Sequence, residues 1–373
     1  MDAFTTPSNW QRVRLGDVGK PCMCKRVMKH QTTRYGEIPF YKIGTFGNTA
    51  DAFISKKLFL EYKTKYSFPK KGDILISASG TIGRAVIYDG KPAYFQDSNI
   101  VWIDNDETLV KNDFLFYAYS NIKWNTEHTT ILRLYNDNFR NTLIPLPPLD
   151  EQIAIANILS DVDRYLCSLD ALILKKESVK KALSFELLSQ RKRLKGFNQA
   201  WQKVRLGDIA NYLTSNLSAE QITEQGKIKV YDVNNFIGYT NTTFISDKPY
   251  ISIVKDGSVG RVRILPPKTN ILSTMGALVA NHKTTTEFLF YLLSNFDFKN
   301  FTSGSIIPHI YFKDYREKII FLPPLNEQIA IANILSGLDH EIASLKNKKR
   351  QFENIKKALN HDLMSAKIRV LNK

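Results

Sequence analysis

The sequence predicts an α+β chain written twice: two globular regions mixing strands and helices, each followed by a long helix, the helices paired as an antiparallel coiled coil about a pseudo-twofold. Three observations predict it. "LPPLDEQIAIANILS" at residues 146–160 returns as "LPPLNEQIAIANILS" at 322–336, 176 positions on, changed only at Asp150 and Asn326. "WQRVRLGD" at 10–17 returns as "WQKVRLGD" at 201–208, 191 positions on, so the two halves differ by fifteen residues in between. Each Leu-Pro-Pro mark also opens a long run with apolar residues at three-four spacing. Fainter echoes persist inside the divergent regions: "SGTIGR" at 79–84 against "DGSVGR" at 256–261, and "FLFY" at both 114–117 and 288–291. The halves therefore carry one fold with two different surfaces.

The long helices are encoded from their first turn. Two prolines forbid helix up to Pro148, and Asp150 or Asn326 is expected as the N-cap, with Glu151 or Glu327 near the positive end of the helix dipole. A seam follows through Leu159, Val162, Leu166 and Leu169, continued less cleanly to Leu187; the second copy has Leu335, Leu338, Ile342 and Leu345. Lys176 and Lys180 interrupt one seam, Lys349 and Lys356 the other. A helix of about forty residues is roughly 60 Å long and needs a partner for its stripe; with two such helices in one chain, mutual packing is the simplest burial. "SGTIG" and "DGSVG" each lie between apolar runs and predict tight turns in a sheet rather than phosphate cradles. The Phe-Leu-Phe-Tyr runs predict a buried face.

With 373 residues, 43% of them apolar and 12% aromatic, the chain has material for about two domains. Its net charge of +16 favours a polyanionic partner. No secretory start and no uncharged apolar run of about 20 residues is present, which excludes secretion and membrane insertion from the expectation. Cys22, Cys24 and Cys167 spell neither a disulfide framework nor a zinc site, and the cytoplasm fits. The six histidines show no metal-ligand spacing. There is no Asn- or Asp-Pro-Pro-aromatic methyltransferase site and no Gly-x4-Gly-Lys-Ser/Thr loop, so no catalytic residue, cofactor or metal is expected in this chain.

In this order and duplicated, the markers "WQ(R/K)VRLGD", "KGDILISASGTIGR" from Lys71, "GSIIPHIYFKD" from Gly304 and "LPPL(D/N)EQIAIANIL" resemble the specificity subunits of Type I restriction-modification systems. The resemblance spans nearly the whole chain. It implies two target-recognition domains, 1–149 and 197–325, each reading one half of a bipartite double-stranded DNA sequence. It also implies conserved helices at 150–196 and 326–373 that separate the domains and dock two modification (methyltransferase) subunits. S-adenosylmethionine, ATP and magnesium would then bind partner subunits, restriction-translocase subunits among them, and this chain would be non-catalytic. Helices that meet a common partner must stay alike, whereas domains that read different half-sites are expected to differ. The sequence departs from the pattern once: "TEHTTILR" at 126–133, aligned with "TSGSIIPH", lacks the glycine. The competing reading is a coiled-coil scaffold, inhibitory or orphan, that organises partners without reading sequence; a nuclease stands third.

DNA contacts are expected from basic, amide and hydroxyl side chains on loops, most meeting phosphates and a minority reading base edges. In the first half the candidates are Thr33, Arg34, Lys70, Lys71, Ser79, Thr81, Arg84, Tyr135 and Asn136. In the second they are Asn235, Lys255, Ser258, Arg261, Ser303, Ser305, His309 and Lys313.

Overall fold

The repeat marks are joined in space within each half. In the computed structural model, which describes residues 9–128, 132–304 and 306–370, "WQRVRLGD" supplies strand Gln11–Arg14, and this pairs antiparallel with Leu143–Leu146, the strand that leads into the first Leu-Pro-Pro. Gln202–Arg205 pairs in the same way with Ile319–Leu322. The chain divides into two compact units, one made of residues 1–169 and 348–373, the other of 170–347, so the divisions fall inside both long helices.

Each unit holds the same two sheets. In the first, Gly19–Cys22, Ile100–Asn105, Ile74–Ser77 and Ala85–Ile87 form a four-stranded antiparallel sheet, and Ala52–Ile54, Ile38–Tyr41 and Tyr94–Phe95 a mixed three-stranded one. The second unit repeats the order with Ala210–Thr214, Met275–Ala280, Tyr250–Val254 and Val262–Leu265, then Phe236–Thr240, Ile228–Tyr231 and Asn270–Ile271. The α+β expectation holds. Most of the length difference is the 10-residue helix Lys56–Lys65, capped by the Ser55 hydroxyl accepting from Leu58 N; the second unit crosses from Thr240 to Tyr250 without a helix. The Phe-Leu-Phe-Tyr runs lie in helices Asn112–Tyr119 and Thr286–Ser294, with Phe114, Leu115, Phe288 and Leu289 fully buried, as expected of a core face.

The long helices span Leu149–Leu188 and Leu325–Met364, 40 residues each. They start two residues earlier than the capping pattern suggests. Proline lacks an N–H but keeps its carbonyl, and Pro148 O accepts the first helical bond from Gln152 N at 2.9 Å, as Pro324 O does from Gln328 N at 3.0 Å. Asp150 and Asn326 consequently sit inside the first turn, where their side chains accept the N–H of Glu151 and Glu327 at 3.0 and 2.9 Å.

The Glu-Gln pair that follows explains much of the copied sequence. The Gln152 amide donates to Pro147 O and Leu109 O and accepts Lys111 N, tying the helix start to the entry of helix Asn112–Tyr119; Gln328 makes the same ties to Pro323, Lys283 and Thr285. Glu151 and Glu327 are buried, and each accepts an indole N–H at 3.0 Å, from Trp10 and Trp201 respectively. Each is also gripped by a two-pronged guanidinium: Arg369, which follows the second long helix, holds Glu151, and Arg193, which follows the first, holds Glu327.

The long helices pack together antiparallel. In the first unit Lys356 pairs with Asp163 at 2.5 Å, the Tyr117 hydroxyl donates to the same carboxylate at 2.8 Å, and the Tyr165 and Phe352 rings meet at 4.6 Å. In the second unit Lys180 pairs with Asp339, Tyr291 donates to it at 2.8 Å, and Lys176 meets Glu341 at 2.7 Å. Three of the four lysines that break the apolar seam therefore reach across to a carboxylate on the other helix. Burial, then the bond to aspartate, raises both phenols well above the usual tyrosine range. Of the expected seam residues, Leu159 and Leu335 are fully buried and join the globular cores, Leu169 and Ile342 are buried, and Val162, Leu166, Leu338 and Leu345 are half-buried. No helix among the described residues is long and apolar enough to cross a membrane.

Removing a cation from a buried carboxylate costs more than removing an exposed pair, because the remaining charge is left unpaired out of water. Arg193→Ala is expected to destabilise the second unit by roughly 3 kcal/mol. Arg205→Ala, which breaks the exposed pair with Glu317, is expected to be near neutral. Denaturant unfolding followed by tryptophan fluorescence checks both.

Candidate nucleic-acid interface

In the second unit, strand Tyr250–Val254 runs into a turn closed by Gly260 N donating to Val254 O at 2.9 Å. Gly257 and Gly260 both take positive φ, 82° and 80°, a conformation glycine adopts without strain. Against this turn lies the hairpin of Thr302–Ser303 and His309–Ile310. Gly257 N donates to Pro308 O and Ile310 N to Lys255 O, both at 2.9 Å, and His309 Nδ1 lies 2.7 Å from Asp256 Oδ1. A third loop is drawn in by Arg261, which donates to Asn234 Oδ1 at 2.7 Å, and by Arg263, which donates to Asn234 O at 2.8 Å.

The first unit builds the same corner with other chemistry. Strand Ile74–Ser77 enters a turn closed by Gly83 N bonding Ser77 O, with Gly80 and Gly83 at positive φ, so "SGTIG" is the sheet turn its flanks predict. Ser79 bridges to Arg133, as Asp256 does to His309. Ser79 Oγ donates to Asn99 Oδ1 at 2.8 Å, and the Arg133 guanidinium donates to Ser98 Oγ and Asn99 Oδ1 at 3.2 Å each. Where one unit sets an imidazole beside a carboxylate, the other sets a guanidinium among hydroxyl and amide oxygens.

The structure gathers Lys255, Ser258, Ser303 and His309 into one corner, with Arg261 and Asn235 alongside; the Lys313 ammonium lies 5.4 Å from the Tyr311 ring centre, just past the hairpin. It gathers Ser79, Thr81 and Arg84 in one turn, with Tyr135 and Asn136 following Leu134, whose N donates to Ala78 O. Arg84 donates to Phe46 O at 2.8 Å, a tie within the protein. Lys70 and Lys71 precede strand Ile74–Ser77 and so stand at its other end from Ser79; the bond to Asp104 raises the Lys70 ammonium above the usual lysine range. Thr33 bridges to Phe53, and its hydroxyl donates to Tyr35 O, placing Thr33 and Arg34 in a turn beside the three-stranded sheet. Ser305 and the tip at 129–131 lie outside the described residues, whereas His128, which stands where the second half has Gly304, ends strand Glu127–His128. Sequence reasoning missed Arg133, Asn99, Asp256 and Asn234. No group of three or more His, Cys, Asp or Glu is placed to hold a metal among the described residues.

Residues 7–176 and 198–354 match the family described as Type I restriction modification DNA specificity domain. Over 148 residues the chain is 64% identical to a protein of Haemophilus influenzae named as a type I restriction enzyme specificity subunit, a match covering 39% of this chain and 38% of that one, so well under two thirds of that relative's length. It is 30% identical over 335 residues to a protein of Methanocaldococcus jannaschii named as the MjaX specificity subunit, covering 80% and 79% of the two chains. The crystal structure of the S subunit of a Type I restriction-modification system from M. genitalium shares the fold, with a TM-score of 0.63 at 20% identity over 96% of this chain and 97% of that one.

The two glycines of the second turn separate backbone strain from close approach. A Cβ at Gly257 meets nothing within 4 Å, whereas at Gly260 it lies 2.6 Å from the Phe298 ring. Gly257→Ala is expected to cost about 1 kcal/mol for the left-handed backbone alone, and Gly260→Ala at least about twice that. Chemical denaturation of the two variants side by side checks the order.

Proposed function

This chain belongs to the Type I restriction-modification DNA specificity family, and from that premise we propose that each of its units reads one half of a bipartite duplex target while the copied helix starts dock two modification subunits. The observation that carries the proposal is what the fifteen-residue repeat leaves on the surface. Its buried members serve the fold, but Leu149, Ile153 and Ile158 are 39%, 45% and 36% exposed, and their counterparts Leu325, Ile329 and Ile334 are 45%, 48% and 37% exposed. The apolar surface that these side chains leave in water is not used by the fold, and the same three residues in the same places twice fit one partner bound twice. The corners described above differ between units, as surfaces that read different bases must. A net charge of +16 suits a partner made of phosphates.

In this reading the chain supplies recognition and no bond-breaking step. S-adenosylmethionine binds the modification subunits, ATP and magnesium serve restriction-translocase subunits that join the assembly, and the complex works on double-stranded DNA in the cytoplasm. Methylation-sensitive sequencing of DNA from cells making this chain with its modification subunit is expected to show one bipartite motif modified throughout. An unmodified genome would favour a scaffold that does not read DNA.

Docking is expected to titrate with the patches. Ile153→Asp or Ile329→Asp alone should leave one modification subunit per chain, and both together none, as read by native mass spectrometry of the purified complex.

A further inference from the structure

The hairpin of the second unit ends in an apolar tip. Gly304 has φ 92°, and a Cβ there would lie 2.3 Å from Ile307 O, so the tight turn requires glycine. Beyond it Ile306 is 92% exposed, more than any other large apolar side chain among the described residues, and Ile307 is 55% exposed. The stem is not loose, since the bonds of Gly257 N to Pro308 O and Ile310 N to Lys255 O, with the His309–Asp256 pair, fix it to the adjacent turn. Polar candidates share the corner with the hairpin stem, and Lys255 and Lys313 supply positive charge there for phosphates.

A two-stranded ribbon is one of the shapes that enter the major groove, and the groove floor shows donors, acceptors and one apolar group, the thymine 5-methyl. An isoleucine set against a donor or acceptor there would leave it without water or a partner. Set against a methyl, it completes an apolar contact. We propose that Ile306 and Ile307 are specificity-determining residues that read thymine methyl groups in the half-site of the second unit. This rests on the DNA-reading function above and adds to it the class of atom recognised and the side chains that recognise it.

The experiment uses the assembled complex and its natural duplex, with each thymine of that half-site replaced in turn by deoxyuridine, which removes only the methyl. One or two positions are expected to weaken binding about fourfold each. The same replacements in the other half-site should have no effect. In an Ile306→Ser, Ile307→Ser variant, thymine and uridine duplexes should bind alike; both side chains are exposed, and unchanged melting confirms the fold. The uridine series on the unaltered protein needs no variant. A half-site with no A·T pair, or no uridine effect anywhere within it, overturns the proposal. So does a 2-aminopurine signal of unstacking without a uridine effect, which would make the tip a wedge, and so does loss of a subunit from the serine variant, which would make it a protein contact. Failure of the natural duplex to bind in preference to a scrambled one would instead overturn the DNA-reading function itself.

Discussion

Two buried carboxylates organise this protein. Glu151 and Glu327 would each be a costly charge out of water, and each is made tolerable by an indole just before the opening strand of its own half and a guanidinium that follows the opposite long helix. Every unit thus closes around the start of one helix and the end of the other. A slip of the helices by a residue would pull both arginines from their carboxylates, so register is set by electrostatics as well as by the apolar seam. The cross-helix pairs Lys356–Asp163 and Lys180–Asp339, each with a tyrosine hydroxyl on the same carboxylate, add two more rungs of matching geometry. Such polar contacts cost desolvation and contribute specificity of pairing.

The repeat separates what must stay the same from what is free to change. Trp, Glu, Gln and the buried Ile155, Ala156 and Leu159, with their counterparts, hold one scaffold in both halves. The exposed Leu149, Ile153 and Ile158 repeat without a folding reason. At the outer corner, by contrast, the backbone turn is kept and the side chains are replaced: serine, asparagine and arginine in one unit, aspartate, histidine and a bare isoleucine tip in the other. A scaffold with a constant exposed edge and a variable corner fits the proposed reading of two different sequences through one kind of partner.

Much of the fold was legible because repeats, periodicity and prolines act locally. The helices, the sheet turns and the buried Phe-Leu-Phe-Tyr faces followed from spacing alone. Each long helix starts two residues before the point its cap pattern indicates, since that pattern weighs side chains and the proline carbonyl takes the bond instead. The lysines in the seam read as interruptions because their carboxylate partners lie far off in the sequence, 193 positions before Lys356 for Asp163 and 159 after Lys180 for Asp339. The corner was less legible. Choosing exposed polar loop residues cannot show that Arg84 and Arg261 are occupied by Phe46 and Asn234, or that Asp256 answers His309. Ile306 and Ile307 escaped notice because an apolar residue becomes informative only when the fold leaves it bare.

On the proposed function, the two units read independently from a shared scaffold. The most direct measurement exchanges residues 18–140 for the matching region of a relative with a different target, then determines the methylated sequence made by the hybrid with the original modification subunit. One half of the recognised sequence is expected to change to the relative's and the other half to stay as it was. A correctly folded hybrid that altered both halves, or neither, would contradict independent reading.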